Sequence, residues 1–253
     1  MTVDRLAAGA FGAMAQEYER GRPGWPAGAV ASLLERFGAR TVLDLAAGTG
    51  KLTEVLVAHA GEVVAVEPVD GMRSVLEARL PGVRALAGTA EAIPLADGSV
   101  DAVFVGEAFH WFDLDRAPAE IARVLRPGGG LAVMWNVAAD DGEPWFDELV
   151  ALVIEHRTEG SGQRRQDTVG WREALEAEPR LGPLGDEEVQ HEQRSDRDRI
   201  VDQIASFSSI GSLPDDRRSA ALAAVRELLE RHGVDEIDLR YRTTITTARR
   251  VDG

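Results

Sequence analysis

Residues 43–54, LDLAAGTGKLTE, run from an apolar segment through two closely spaced glycines into a stretch with Leu52 at helical spacing. Strand, glycine turn and helix in that order make a ligand-holding frame in α/β folds. What the turn lacks narrows the ligand. A phosphate-binding loop needs G-x-x-x-x-G-K-[ST]. Aligned on Gly50 and Lys51, that pattern meets Leu45 at its first glycine and Leu52 at its metal-binding hydroxyl. The dinucleotide fingerprint G-x-G-x-x-G meets Thr53 at its third glycine when started at Gly48, and Lys51 when started at Ala46. What remains is D-x-A-x-G-x-G from Asp44 to Gly50, with an acid, Glu67, ending the next apolar run. Glycines let backbone approach a ligand closely.

Outward from this stretch, short apolar runs alternate with helical patterns between Thr41 and Asn136, which predicts βαβ units and a parallel sheet. Strands are expected at 41–45, 62–67, 83–88, 101–106 and 130–136, with LRPGGG (125–130) as a helix stop and turn. Two helices are expected within 12–37, flanking GRPGWP (21–26). Beyond the sheet, 143–157 reads as an amphipathic helix and TEGSGQRRQDT as a loop. Residues 195–207 read as a helix with Ser195 and Asp198 as a capping pair, and 215 to about 232 as a helix closed by Gly233. The alternation of DLRYRTTITTARRV predicts a final strand.

Composition excludes several classes. The chain has 253 residues, 44% of them apolar, enough for a large core. With no cysteine it has no disulfide, thiolate nucleophile or cysteine–metal site, and no metal is expected. A net charge of −15, from 43 acids against 28 bases, disfavours nucleic acid and anionic membrane. The first 21 residues lack the basic start and apolar run of a signal peptide. No segment approaches the roughly 20 apolar residues of a membrane helix. A soluble, cytoplasmic protein is the expectation.

VLDLAAGTG resembles the first motif of class I S-adenosylmethionine-dependent methyltransferases, with Ala46 where a glycine is usual. GTAEAIPLADGSVDAVFVGEAFHW (88–111) and RVLRPGGGLAV (123–133) resemble later parts of the same core. The resemblance covers about residues 40–136. It implies a doubly wound Rossmann-like sheet, mostly parallel with an antiparallel last strand, and S-adenosyl-L-methionine as cofactor. By resemblance Asp44, Ala46, Gly48 and Gly50 frame the cofactor's amino-acid end and Glu67, followed by Pro68, its ribose. Met72, Thr89, Ala90 and Glu91 fall at the adenine. Lys51 is then an early, solvated helix residue.

FGAMAQEYERGRPGWP (11–26) and EAFHWFD (107–113) resemble the branch that contains trans-aconitate methyltransferase, with Trp25 replacing a usual tyrosine. In that branch the N-terminal segment closes over the cofactor, and Tyr18 and Arg22 would meet its carboxylate. The implied organisation is one methyltransferase domain over 1–253: lid helices in 1–38, a cofactor core in 39–137, and a substrate cap with final strands in 138–253.

Methyl transfer is an in-line displacement, so alignment and exclusion of water carry much of it. Glu107 and His110 follow the fourth strand at the ligand-binding edge, and His110 is the candidate base. Phe11, Trp25, Trp111, Trp135, Asn136 and Phe207 are candidate substrate contacts, with Phe109 and Trp171 also near the expected mouth. Each also has a structural reading, in the core or as a cap. The expected partner is a small organic acceptor, methylated at oxygen, nitrogen or carbon; the oligomeric state has no signal in the sequence. Two other classes stay open: a cofactor-binding protein of this fold without turnover, and a nicotinamide-dependent reductase.

Overall fold

The computed structural model describes residues 15–139, 142–156 and 170–251. Seven strands, β1 (Thr41–Leu45), β2 (Glu62–Val66), β3 (Arg84–Leu86), β4 (Val100–Gly106), β5 (Leu125–Ala138), β6 (Gly185–Asp196) and β7 (Glu236–Arg249), form one sheet. Their order is β3-β2-β1-β4-β5-β7-β6. The first five strands pair in parallel, and β7 runs antiparallel to both β5 and β6. The order reverses between β1 and β4, the switch point where open α/β sheets bind ligands.

Helices α1 (Ala15–Gly21) and α2 (Ala27–Phe37) precede the sheet. Within its parallel part lie α3 (Lys51–His59), α4 (Asp70–Arg79) and α5 (Ala117–Val124). Then come α6 (Pro144–His156), α7 (Trp171–Ala177), α8 (Arg197–Ala205), α9 (Ser208–Gly211) and α10 (Asp215–Arg231). Among the described residues no helix is long and apolar enough to cross a membrane.

Alternate residues of each central strand feed two cores, because successive side chains point to opposite faces. Leu43, Val103, Val105, Leu131 and Val133 pack with Ile121 of α5 and Leu175 of α7. Val42, Phe104, Ala132 and Met134 pack on the other face with Leu33 and Phe37 of α2 and Leu56 of α3. Both faces are therefore covered, which is why these strands read as continuous apolar runs. A third cluster joins Trp145 of α6, Ile200 and Ile204 of α8, and Val225 and Leu229 of α10 around Tyr241.

The structure departs from the sequence reading in four places. LRPGGG is drawn into β5: the register jumps from Val100↔Leu125 to Ala102↔Gly130, and Arg126–Gly128 loop outward, exposed. A second antiparallel strand, β6, has no apolar signature because its half-buried positions include Glu187, His191 and Gln193. Ser195 lies within that strand and does not cap α8. The cap is Asp196, whose carboxylate accepts from Arg199 N at 2.8 Å. Finally, α7 is a short helix with no sequence expectation, burying Trp171 and Leu175. The loop expected at 158–168 lies outside the described residues.

Gly130 measures how tightly α2 sits on the sheet, since a Cβ there would lie 2.3 Å from the Phe37 ring. Gly130→Ala should cost about 2 kcal/mol through overpacking, lowering Tm by roughly 4–8 °C. Gly82→Ala, with nothing within 4 Å of the new Cβ and no positive φ, should change stability by less than about 1 kcal/mol. Thermal melts of the two variants beside wild type check the contrast.

Candidate active site

The site begins where β1 and β4 stop. Ala46 and Glu107, each the first residue past its strand, have φ of +60° and +56°, in the left-handed region. A non-glycine residue there costs about 1–2 kcal/mol. At Ala46 this accounts for the glycine usual at that position. Gly48 (φ +59°) and Gly50 (φ +89°) continue the turn for different reasons. A Cβ on Gly50 would lie 2.9 Å from Leu76 Cγ, so that glycine lets α4 pack on the turn. A Cβ on Gly48 would meet only Tyr18, at 3.9 Å.

Three carboxylates converge on these turns. Glu67, 5% exposed, accepts from Gly48 N on Oε2 and from Val69 N on Oε1, both at 2.8 Å. Burial pushes its carboxyl above the usual range, opposed by those two bonds and by Arg73. Asp44, 1% exposed, accepts from Thr53 Oγ1 at 2.6 Å. Burial pushes it up to about 7 against that bond. Glu107 Oε1 accepts from Asn136 N at 2.5 Å, and its Oε2 lies 4.0 Å from Arg22 Nη1.

The carboxyl ends of β1, β4 and β5 open into one cavity. Of the residues expected at the site, Tyr18, Arg22, Trp25, Asp44, Ala46, Gly48, Glu107, His110, Trp135, Asn136 and Phe207 line it. Arg22 is wedged in place: its guanidinium carbon lies 4.9 Å from the Tyr18 ring centroid and 5.2 Å from that of Phe207. Its Nε donates to Ser206 Oγ at 3.0 Å. Burial raises the Tyr18 hydroxyl, partly offset by Arg22. The His110 ring sits 4.8 Å from Trp111 and 5.4 Å from Trp135, centroid to centroid.

Other expected residues lie outside the lining or, like Asn136 and Lys51, line it while bonded within the protein. Trp111 packs at a tilt against His110 and is not part of the cavity lining, and Phe109 and Trp171 are packed in the core 5.6 Å apart. Glu67, Pro68, Gly50, Met72, Thr89, Ala90 and Glu91 also stand away from it, toward β2 and β3. Met72 is buried in the α4 stripe, and Glu91 Oε1 accepts from Asp113 N at 2.7 Å. Asn136 spends its amide inside the protein, donating to Gly24 O at 3.0 Å and accepting from Thr243 Oγ1 at 2.5 Å. Lys51 is not solvated; its Nζ lies 3.0 Å from Glu19 Oε1, and its side chain is 18% exposed. Phe11 falls outside the described residues.

Sequence reasoning missed Gly106, Gln203 and Tyr241 as lining residues. Gly106 carried a signal, as a glycine ending a buried strand: its absent Cβ leaves room for Trp25, whose Cζ2 would be 2.7 Å away. Gln203 and Tyr241 carried none, since only the folding of α8 and β7 over β5 brings them near.

A family model described as a methyltransferase domain matches residues 43–133. An uncharacterised methyltransferase of Mycobacterium tuberculosis is 42% identical over 222 residues, spanning 88% of this chain and 86% of that protein. An uncharacterised methyltransferase-like protein of Schizosaccharomyces pombe is 32% identical over 236 residues, 90% of each chain. Among solved structures, a candidate type II methyltransferase from Anaeromyxobacter dehalogenans superposes with a TM-score of 0.66 at 25% identity, covering 90% of this chain and 97% of the other. With the parallel sheet, the glycine turn and the acid after β2 already in place, these relationships make the chain a member of the class I S-adenosylmethionine-dependent methyltransferases.

Proposed function

We propose that this enzyme transfers a methyl group from S-adenosyl-L-methionine to a small organic acceptor. In this reading the cofactor's amino-acid end lies along Ala46–Gly48, its ribose on Glu67, and the acceptor in the cavity beside Glu107, His110 and Trp135. The observation that carries it is the pairing of Gly48 with Glu67. Gly48 keeps the space a Cβ would fill open as far as Tyr18. Glu67 spends one hydrogen bond on the turn, at Gly48 N, and one on Val69 N, leaving two of its about four lone-pair sites for ribose hydroxyls. Met72, Ala90 and Glu91 then border the adenine.

The cofactor supplies an electrophilic methyl group on a sulfonium. The chain's residues bind, align and exclude water. Arg22, held by Tyr18, Phe207 and Ser206, faces the methionyl carboxylate. His110 takes the acceptor's proton where the acceptor must lose one. Residues 1–38 serve as lid and 138–253 as cap around the 39–137 core. The lid–cap contact supports this division: Arg20 Nε bonds Asp202 Oδ2 at 2.6 Å, and Gly24 N donates to Gln193 Oε1 at 2.8 Å. The trans-aconitate methyltransferase-like branch is part of the same proposal, supported by Tyr18, Arg22 and Trp25 all lining the cavity.

Calorimetric titration with S-adenosylmethionine tests the placement. Glu67→Ala should weaken binding about ten- to hundredfold through loss of hydrogen bonds to a buried charged group, with the far-UV spectrum retained. Unchanged affinity would put the ribose elsewhere.

A second expectation follows from Asp44. Its pKa in the folded protein is raised from 3.8 to about 7, so ionised Asp44 costs stability that grows as pH rises through that window. A bound cation favours the ionised form. Affinity for S-adenosylmethionine should therefore rise about tenfold between pH 6 and pH 8. Asp44→Asn, which keeps a partner for Thr53, should flatten that dependence; an unaltered slope would assign it to another group.

A further inference from the structure

The glycine turn is clasped from outside the sheet as well as from within it. Thr49, between the two glycines, is 1% exposed, and its hydroxyl donates to Glu19 Oε2 at 2.6 Å. The other oxygen, Oε1, lies 3.0 Å from Lys51 Nζ and 3.0 Å from Arg79 Nη2. Arg79 in turn donates from Nη1 to Thr49 O at 2.9 Å. Glu19 belongs to α1, whereas Thr49 sits in the turn, Lys51 opens α3 and Arg79 ends α4. One carboxylate of the proposed lid thus joins the turn and both helices beside it.

Position gives this cluster its consequence. Neither Glu19 nor Arg79 is part of the cavity wall, but Tyr18 and Arg22 are. Tyr18, the neighbour of Glu19, stands over Gly48. Arg22, one helical turn on, gives its N–H to Tyr18 O at 3.0 Å and lays its guanidinium on the Tyr18 ring. Where Glu19 is fixed, these two are fixed with it. Solvent screens the cluster only partly, since side-chain exposure is at most 24% in Glu19, Lys51 and Arg79, against 56% for Arg20 in its pair with Asp202.

We propose, resting on the methyltransferase reading above, that Glu19 is a positioning residue for the cofactor. By clasping Thr49, Lys51 and Arg79 it seats α1 on the glycine turn, and so places Tyr18 and Arg22 against the cofactor's amino-acid end. It touches neither cofactor nor acceptor. Its effect on binding runs through population: when the seated arrangement is rarer, apparent affinity falls by the same fraction.

Calorimetric titration of the full-length protein with S-adenosylhomocysteine is the test. Glu19→Gln keeps an acceptor for the Thr49 hydroxyl and removes the charge that faces Lys51 and Arg79. It should bind about tenfold more weakly with the far-UV spectrum of wild type. Glu17→Gln is the control, because Glu17 lies on the same helix but pairs with Arg218 of α10, at 3.3 Å. It should stay within about twofold of wild type. Arg79→Gln should weaken binding as Glu19→Gln does, and the double variant should lose no more than about twofold further, since both changes break one interaction. A folded Glu19→Gln that binds as wild type does, an equal loss at Glu17, or additive losses at Glu19 and Arg79 would each overturn the proposal. A role confined to stability would lower Tm with affinity unchanged, and that result counts against it too. If Glu19→Gln does not fold, Arg79→Gln decides alone, and wild-type affinity there overturns the proposal. Binding by wild type leaves the methyltransferase reading standing whatever the variants do, whereas no binding by wild type removes both.

Discussion

Both strands at the switch point end by forcing a side-chain-bearing residue into left-handed backbone, and the site depends on how those two turns are held. Ala46 and Glu107 are the only non-glycine residues with positive φ among the described residues. They follow β1 and β4, which are paired neighbours. Each turn is pinned to the strand on its other side. After β1, Ala47 N donates to Val66 O at 3.1 Å and Gly48 N to Glu67 Oε2 at 2.8 Å. After β4, Glu107 N donates to Met134 O at 2.9 Å while its carboxylate takes Asn136 N. Together these bonds outweigh about 2–4 kcal/mol of strain and hold the crevice open between β2 and β5. Strain of this kind persists only where the surroundings over-determine it.

The same arrangement sets the site's electrostatics. Asp44 and Glu67 are buried on adjacent strands, and burial raises both carboxyls, with Glu67 adding to the rise of Asp44. Two buried acids on neighbouring strands form a poor resting place for an anion and a good one for a cation. A sulfonium cofactor without phosphate suits that field, whereas a dinucleotide pyrophosphate would oppose it. The missing third glycine at Thr53 points the same way: Thr53 is fully buried with its hydroxyl on Asp44. The residue that breaks the dinucleotide pattern is the one that steadies the acid.

The sequence made the core legible because its local and global signals agree. β1, β2 and β4 read as apolar runs because both their faces are buried, and the turn read as cofactor-binding because glycine spacing and the position of Glu67 are set by backbone geometry. The cap was less legible. β6 carries half-buried polar residues at the sheet's edge, so its alternation is one of exposure and not of hydrophobicity. Ser195 looked like a cap, yet the strand runs on to Asp196 before the helix starts. Asn136 looked like a substrate donor from its place after a strand. Its amide donates to Gly24 and accepts from Thr243, partners 112 and 107 residues away in the chain, which no local pattern could reveal.

That Asn136 node bears on how the proposed lid would work. It joins the segment after α1 to β5 and β7 at once, and the same glycine's N–H donates to Gln193 Oε1 of β6. Other ties include an exposed Arg20–Asp202 pair, the Arg22–Ser206 bond, an Arg218–Glu17 pair and the contacts of Glu19 with Thr49, Lys51 and Arg79. Surface pairs contribute at most about 1 kcal/mol each, and neutral hydrogen bonds about the same. Each polar tie is therefore individually weak. Tyr18 stands over Gly48 in the closed arrangement, so a ligand that touches both contributes its contacts to closure. Under that reading, cofactor affinity and lid position are one equilibrium, and loosening Asn136 would shift both without touching the ligand.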